Sequence, residues 1–298
     1  MPRHNNRLIL VTGATGHQGG AVLRVLREKG YPVTALTRHP DRPEAHALVG
    51  HGTEILRGDL YDLPSLTRAI EGVYGVFGVT TPMQEGVERE VEQGKNLIDA
   101  ATRSRVSHFV FSSVCGADRK TGIPHFDSKF VIEEHLRSTG LKYTIFRPVF
   151  FMENWLAMRQ TIEQGALALP LTPDTRLQMI AVRDIAIFVS MAFDHPGHWQ
   201  GRAVDLAGDE LTMSEIAESL GRLAGRDVKY LQISWEDYEA TAGREMTIMY
   251  RWFQEHGYTV DIAALRQEHP NLMTFERWLQ SNWRPKVQRA GRDANIVG

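Results

Sequence analysis

Along the first half of the chain, short apolar runs alternate with longer stretches in which apolar residues recur every three or four positions. The runs at 8–12, 33–37, 54–57, 76–79, 108–112 and 143–147 have the length and composition of buried strands. Between the first two, residues 18–29 set Ala21, Val22, Val25 and Leu26 on one side and stop at Gly30, a suitable left-handed helix cap. Residues 63–71 carry Pro64 in their first turn and end at Gly72. Val87, Val91, Gly94, Ile98 and Ala101 define a long helix over 86–104, and 128–138 forms another before Gly140. Strand and helix in alternation predict an α/β fold, a Rossmann-type doubly wound parallel sheet covered on both faces.

After Arg147-Pro148 the pattern changes. Pro170, Pro173 and Pro196 punctuate the chain, and strands become irregular. Thr212 and Glu215 have capping-box spacing ahead of a helix over 213–224. Ser234 with Asp237 marks another helix start, and Met246, Met249, Tyr250 and Phe253 line one face of a further helix. The expected division is therefore a sheet domain over 1–152 and a smaller, mainly helical lobe over 153–283, interleaved with the sheet by at least one returning strand. Residues 284–298, with Arg284, Lys286, Arg289 and Arg292 but no apolar periodicity, are expected to be a solvated tail.

The most informative local pattern is the turn from Val11 to Gly20, with Gly13, Gly16 and Gly19 at three-residue spacing between an apolar strand and an amphipathic helix. In that context Gly13 permits the tight turn, Gly16 lets backbone approach a pyrophosphate, and Gly19 lets the helix pack closely on the strand. The helix amides of Gly16, His17 and Gln18 are then expected to face phosphate oxygens at the positive end of the helix dipole, beside Thr15. The second strand ends in Thr37-Arg38-His39-Pro40, with no acid before Asp41. An acid there would bond the ribose hydroxyls of NAD, whereas Arg38 suits the 2′-phosphate of NADP(H). Asp59 and Leu60 close the third strand. Asp59 is placed either to accept from the adenine amino group or to cap the following turn, and Leu60 to pack on the ring.

The 298 residues carry 34 Lys and Arg against 36 Asp and Glu, a formal charge of −2. That balance excludes a generally basic nucleic-acid binder. Hydrophobic residues at 42% supply a sizeable core. The opening segment is too polar and its apolar run too short for a signal peptide or membrane span. The lone Cys115 cannot form an internal disulfide, so a cytoplasmic protein is expected, with Cys115 as a small buried residue. A monomer or homodimer is expected.

Taken together, the Gly13/Gly16/Gly19 turn, Thr37-Arg38, Gly58-Asp59, the segment His125 to Lys129, Arg147-Pro148 through Asn154, and Val182-Arg183-Asp184-Ile185-Ala186 make the chain resemble the NmrA-like family of atypical short-chain dehydrogenases/reductases. The resemblance covers about residues 8 to 283. It implies NADP(H) bound in a Rossmann domain with a small C-terminal lobe. It also implies one of two activities: reduction of quinones and other aromatic or conjugated substrates, or non-catalytic sensing of cofactor level through a regulatory protein partner.

Short-chain reductases generally place a tyrosine four residues before a lysine, so that the ammonium lowers the phenol pKa and the phenol protonates the substrate carbonyl. Here Lys129 holds the lysine's place, and four residues earlier stands His125. Ser112 and Ser113 end the fifth strand within reach of a substrate oxygen, Lys129 is expected at the nicotinamide ribose, and Thr80 is expected among the cofactor contacts. In an enzyme, hydride transfer to an electron-poor acceptor needs no acid, and the His125 imidazole can supply a proton near neutral pH. In a sensor, His125 is a polar helix-start residue and Lys129 a ribose contact. The catalytic candidates are thus His125, Lys129 and Ser112.

The acceptor side is expected from Thr80, Thr81, Pro82 and Met83 after the fourth strand, and from Phe150, Phe151, Met152, Asn154 and Trp155 after the sixth. Ligands of such sheets sit outside the carboxyl ends of the strands, and aromatic side chains suit a flat apolar compound. A tailoring step in aromatic natural-product synthesis fits such a pocket. His195 and His198 lack companions at metal-ligand spacing, so no metal is expected, and no Gly-x-Ser-x-Gly elbow points to a hydrolase.

Overall fold

A computed structural model describes residues 7–49, 53–82 and 85–283 of the chain. Met83 and the tail over 284–298 therefore lie outside the described residues. Six strands alternate with helices as far as residue 148: β1 (Ile9–Val11), α1 (His17–Glu28), β2 (Val33–Thr37), α2 (Pro43–Val49), β3 (Glu54–Arg57), α3 (Leu63–Ile70), β4 (Gly75–Gly78), α4 (Val87–Arg103), β5 (His108–Ser112), α5 (Pro124–Ser138) and β6 (Tyr143–Pro148). They pair in parallel in the order β3-β2-β1-β4-β5-β6. The chain order reverses between β1 and β4, which opens a crevice at the carboxyl ends of those strands.

Both faces of the sheet are covered, which is why its strands read as continuous apolar runs. β5 shows the partition: Val110 joins the core formed with α1, while Phe109 and Phe111 point to the opposite core with Leu97, Ile98 and Ile132. α5 begins four residues earlier than its apolar periodicity implies. Pro124 takes the first helical position, where its missing N–H is no loss. This puts His125 and Lys129 one turn apart on the same helix.

Beyond β6 the chain continues through β7 (Phe150–Phe151), a 3-10 segment (Met152–Met158), α6 (Arg159–Glu163), β8 (Ala166–Leu169), β9 (Arg176–Ile180), α7 (Val182–Asp194), α8 (Pro196–Trp199) and β10 (Arg202–Leu206). β10 adds to the large sheet, parallel to β6, as a seventh strand, and α7 packs against α1. The remainder comprises β11 (Asp209–Thr212), α9 (Met213–Ala224), β12 (Lys229–Gln232), α10 (Trp235–Ala242), α11 (Arg244–Glu255) and two short closing helices. The lobe adds two small sheets to its helices, β7-β9-β11 and β8-β12. Thr212 and Glu215 form the full reciprocal capping box, and Ser234 caps α10. No helix of the described residues is long and apolar enough to cross a membrane.

Candidate functional site

A cleft of about 820 Å³ opens at the carboxyl ends of β1 to β4. At its centre, Gly13 has φ +61°, and the Gly16 N–H donates to its carbonyl at 2.9 Å. A Cβ on Gly19 would lie 2.3 Å from the same oxygen, so only glycine allows α1 to pack this closely on the turn. Among the described residues no side chain caps α1, and no acid occupies its first turn. Its leading amides therefore open into the cleft, an arrangement suited to a pyrophosphate. The Gly16 amide, expected among the donors, is instead committed to the turn.

Gln18 is held from the end of β5, where Ser112 Oγ donates to its Oε1 at 2.6 Å. This corrects the expectation for Ser112, which is buried and spends its proton on positioning Gln18. Its neighbour Ser113 is also buried, and its hydroxyl has no hydrogen-bond partner among the described residues.

Toward β2 and β3 the cleft is lined by Leu36, Arg38, Asp59 and Leu60, with Gln93 from α4. Of the two roles open to Asp59, the structure shows the turn cap, its Oδ1 accepting from the Tyr61 N–H at 3.0 Å. The Leu60 carbonyl accepts from Asn96 Nδ2, which fixes this segment to α4. Arg38 Nη1 donates to Glu85 Oε1 at 2.8 Å, and Tyr61 donates to Glu85 Oε2 at 2.6 Å. Gln93 Nε2 donates to the Tyr61 hydroxyl, and the Arg89 guanidinium lies 5.0 Å from the Tyr61 ring centre. Hydrogen bonds from Tyr61 and Arg38 hold the Glu85 carboxyl below its usual range. Partial burial and Glu85 push the Tyr61 phenol up.

Lys129 does not line the cleft. Its ammonium meets the Thr80 carbonyl at 2.7 Å, Thr80 Oγ1 at 3.1 Å and Glu90 Oε1 at 2.9 Å. A lysine has three N–H donors, and three acceptors are present. Ser128 Oγ and Thr80 Oγ1 donate to the two oxygens of Glu90, whose side chain is fully enclosed. Thr80 lines the cleft, but its hydroxyl also belongs to this network. His125 likewise faces elsewhere: Nδ1 pairs with Glu245 Oε1 at 2.6 Å, joining α5 to α11 of the lobe. The residues expected to perform proton transfer are thus committed to structural partners.

On the acceptor side, Phe151 lines the cleft and Phe150 packs against Trp155 and Phe253. Trp155 is completely buried, with its indole N–H on Met179 Sδ at 3.2 Å, so its expected place against a substrate is corrected to the core. Asn154 is exposed, and Pro82 is half-buried with its carbonyl accepting from Gly86. Between these residues stands Glu153, which accepts the Val182 N–H at the start of α7 and the Trp278 indole N–H at 3.0 Å. Burial raises its pKa. Asp184 accepts from the Met273 N–H at 2.9 Å and lies 3.1 Å from His269 Nε2. Both acids lie in motifs that carry the resemblance, and both tie the lobe together. Cys115 is fully buried, and desolvation pushes its thiol far up, away from reactivity.

Glu85, Tyr61, Gln93 and Glu90 are absent from the sequence-based site. Glu90 left a signal, since it falls on the same α4 face as Val87, Gly94 and Ile98. A carboxylate on a buried stripe needs a cation opposite.

The fold and its open glycine turn define a Rossmann-type dinucleotide-binding architecture. The NmrA-like family profile matches residues 5–279, and the chain belongs to that family. It is 35% identical over 231 residues to the NAD(P)H azoreductase of Xenophilus azovorans, covering 77% of this chain and 78% of the relative. The structure superposes with a TM-score of 0.80 on the NADPH complex of the NADPH-dependent quinone oxidoreductase of Escherichia coli, at 25% identity, covering 93% and 100% of the two chains. NmrA, a negative transcriptional regulator solved with NADP, shares the fold at a TM-score of 0.78 and 21% identity, with 94% and 96% covered. Reductase and regulator on one scaffold mean that the fold does not choose between them.

Proposed function

We propose that the chain is an NADP(H)-dependent oxidoreductase that reduces an electron-poor, flat acceptor of the quinone or conjugated aromatic class. The cofactor reading rests on the fit of the cleft. The uncapped first turn of α1 faces where a pyrophosphate would lie, and Arg38 stands at the end of β2 where a 2′-phosphate would lie. The kinship with a NAD(P)H azoreductase and a quinone oxidoreductase supports the same reading.

One observation carries the choice of acceptor: among the described residues, no phenol–ammonium pair is poised to protonate a substrate. His125 replaces the tyrosine and bonds to Glu245, and the Lys129 donors are taken by Thr80 and Glu90. A simple ketone needs an acid as its carbonyl is reduced, because an alkoxide is a poor product in water. A quinone delocalises the incoming electron pair and takes its proton from solvent afterwards. The bound cofactor would supply the hydride. The chain's own part is to hold the dinucleotide on the α1 amides and to offer the Phe151 ring to a planar acceptor.

The test follows loss of reduced-nicotinamide absorbance with purified protein and a panel of quinones, azo compounds, aldehydes and ketones. Turnover of the first two groups and none of the last two is expected. Efficient ketone reduction would overturn the acid-free reading. Tight NADPH binding with no turnover on any acceptor would overturn the enzymatic one and favour a sensor that engages a protein partner.

A further inference from the structure

We propose that Glu85 sets the cofactor preference of this site, by occupying Arg38 with a carboxylate that a 2′-phosphate must displace. The inference rests on the dinucleotide reading above and concerns a residue that reading does not use.

The second strand ends without the acid that bonds ribose hydroxyls, yet an acid reaches the same place from another segment. Glu85 lies 47 residues beyond Arg38, just ahead of α4, and its two oxygens are divided between Arg38 and Tyr61. The contact is built from several directions. Gly86, with φ +89°, turns the chain into α4, and Arg89 and Gln93 on that helix both engage Tyr61. Glu85 stays ionised through the neutral range, because its two hydrogen bonds lower its carboxyl pKa.

The pair is also displaceable. The Arg38 and Glu85 side chains are 38% and 33% exposed, so solvent screens their attraction. A phosphate offers Arg38 more charge and a bidentate geometry. Glu85 then faces a like charge across a short distance, and that repulsion opposes NADPH. Toward NADH the same carboxylate acts in the other direction, as an acceptor for ribose hydroxyls. An arginine with a built-in competitor therefore discriminates less than the arginine alone would.

Binding of NADPH and of NADH to the intact chain, measured by titration calorimetry for wild type, Glu85→Gln, Arg38→Ala and the double variant, tests this. Glu85→Gln removes the charge at an exposed position and keeps the hydrogen-bonding shape. It is expected to tighten NADPH by roughly five- to tenfold and to weaken NADH. The gain for NADPH should shrink at high salt, and in the Arg38→Ala background only the part that comes from direct repulsion of the phosphate should remain, because the competition for Arg38 is gone. An unchanged NADPH-to-NADH affinity ratio would overturn the proposal. So would weaker NADPH binding, which would make Glu85 a residue that positions Arg38. Wild-type protein that binds neither dinucleotide would overturn the cofactor reading itself, and this inference with it.

Discussion

Glu90 and Lys129 form an ion pair of 2.9 Å with the carboxylate fully enclosed and the ammonium nearly so. The lysine that short-chain reductases turn toward the cofactor is here part of the internal architecture. Removing one partner of a buried pair strands a charge, whereas replacing both by apolar groups often restores stability. Glu90→Leu is expected to destabilise the fold by about 3–5 kcal/mol in denaturant unfolding, and Glu90→Leu with Lys129→Met to recover most of that loss. A stable Glu90→Leu single variant would show that Lys129 can turn out toward the cleft.

Gly19 is constrained by backbone rather than by side chains. A Cβ there would meet Gly13 O at 2.3 Å and Thr12 O at 2.5 Å, and neither can rotate away. Gly19→Ala is expected to lose about 3 kcal/mol of stability along with dinucleotide binding. At Gly16 the added carbon would lie 3.3 Å from Gly13 O and is otherwise open. Gly16→Ala should therefore stay within about 1 kcal/mol of wild type in unfolding while weakening dinucleotide binding, which separates a folding glycine from a binding one.

The first half of the fold is legible because its strands are buried on both faces and its helices are amphipathic, and these two periodicities are written locally in the chain. The turn at Gly13, Gly16 and Gly19 is legible for the same reason, since strand, turn and helix are contiguous. The polar wiring is not local. Glu85 reaches Arg38 across 47 residues and Glu245 reaches His125 across 120. No periodicity announces either contact. The short strands β7, β8 and β12 pair only within small sheets and are too brief to show alternation. The family motifs around Glu153 and Asp184 are visible in the sequence, but their role in tying down α7 appears only when Trp278 and Met273 arrive from the far end of the chain.

Residues 150–155 illustrate how one motif serves two purposes, and substitution separates them. Trp155 is wholly enclosed against Phe150 and Phe275. Trp155→Ala is expected to cost about 3–5 kcal/mol in thermal or denaturant unfolding through the cavity it leaves. Phe151 lines the cleft and Asn154 is exposed. Phe151→Ala should leave unfolding nearly intact and raise KM for a planar acceptor several-fold. A comparable stability loss at Phe151 would assign that ring to the core instead.

His108 gives the fold a dependence on pH that is independent of the site. Its side chain is completely buried beside Phe193, with Nε2 on Thr144 Oγ1 at 2.9 Å. Desolvation lowers its pKa from 6.5 to about 4. The unfolded chain takes up a proton at this imidazole as the pH falls through about 6.5, while the folded chain resists until about 4. Stability is therefore fully present above 6.5 and declines as the pH falls toward 4, by up to about 3 kcal/mol from this residue. His108→Gln has no proton to gain in that range and keeps a donor for Thr144. Its denaturant midpoints, plotted from pH 7 to pH 4.5, should fall less steeply than those of the wild type. Parallel slopes for the two proteins would mean that His108 is charged inside the fold or that the unfolded chain shields it equally.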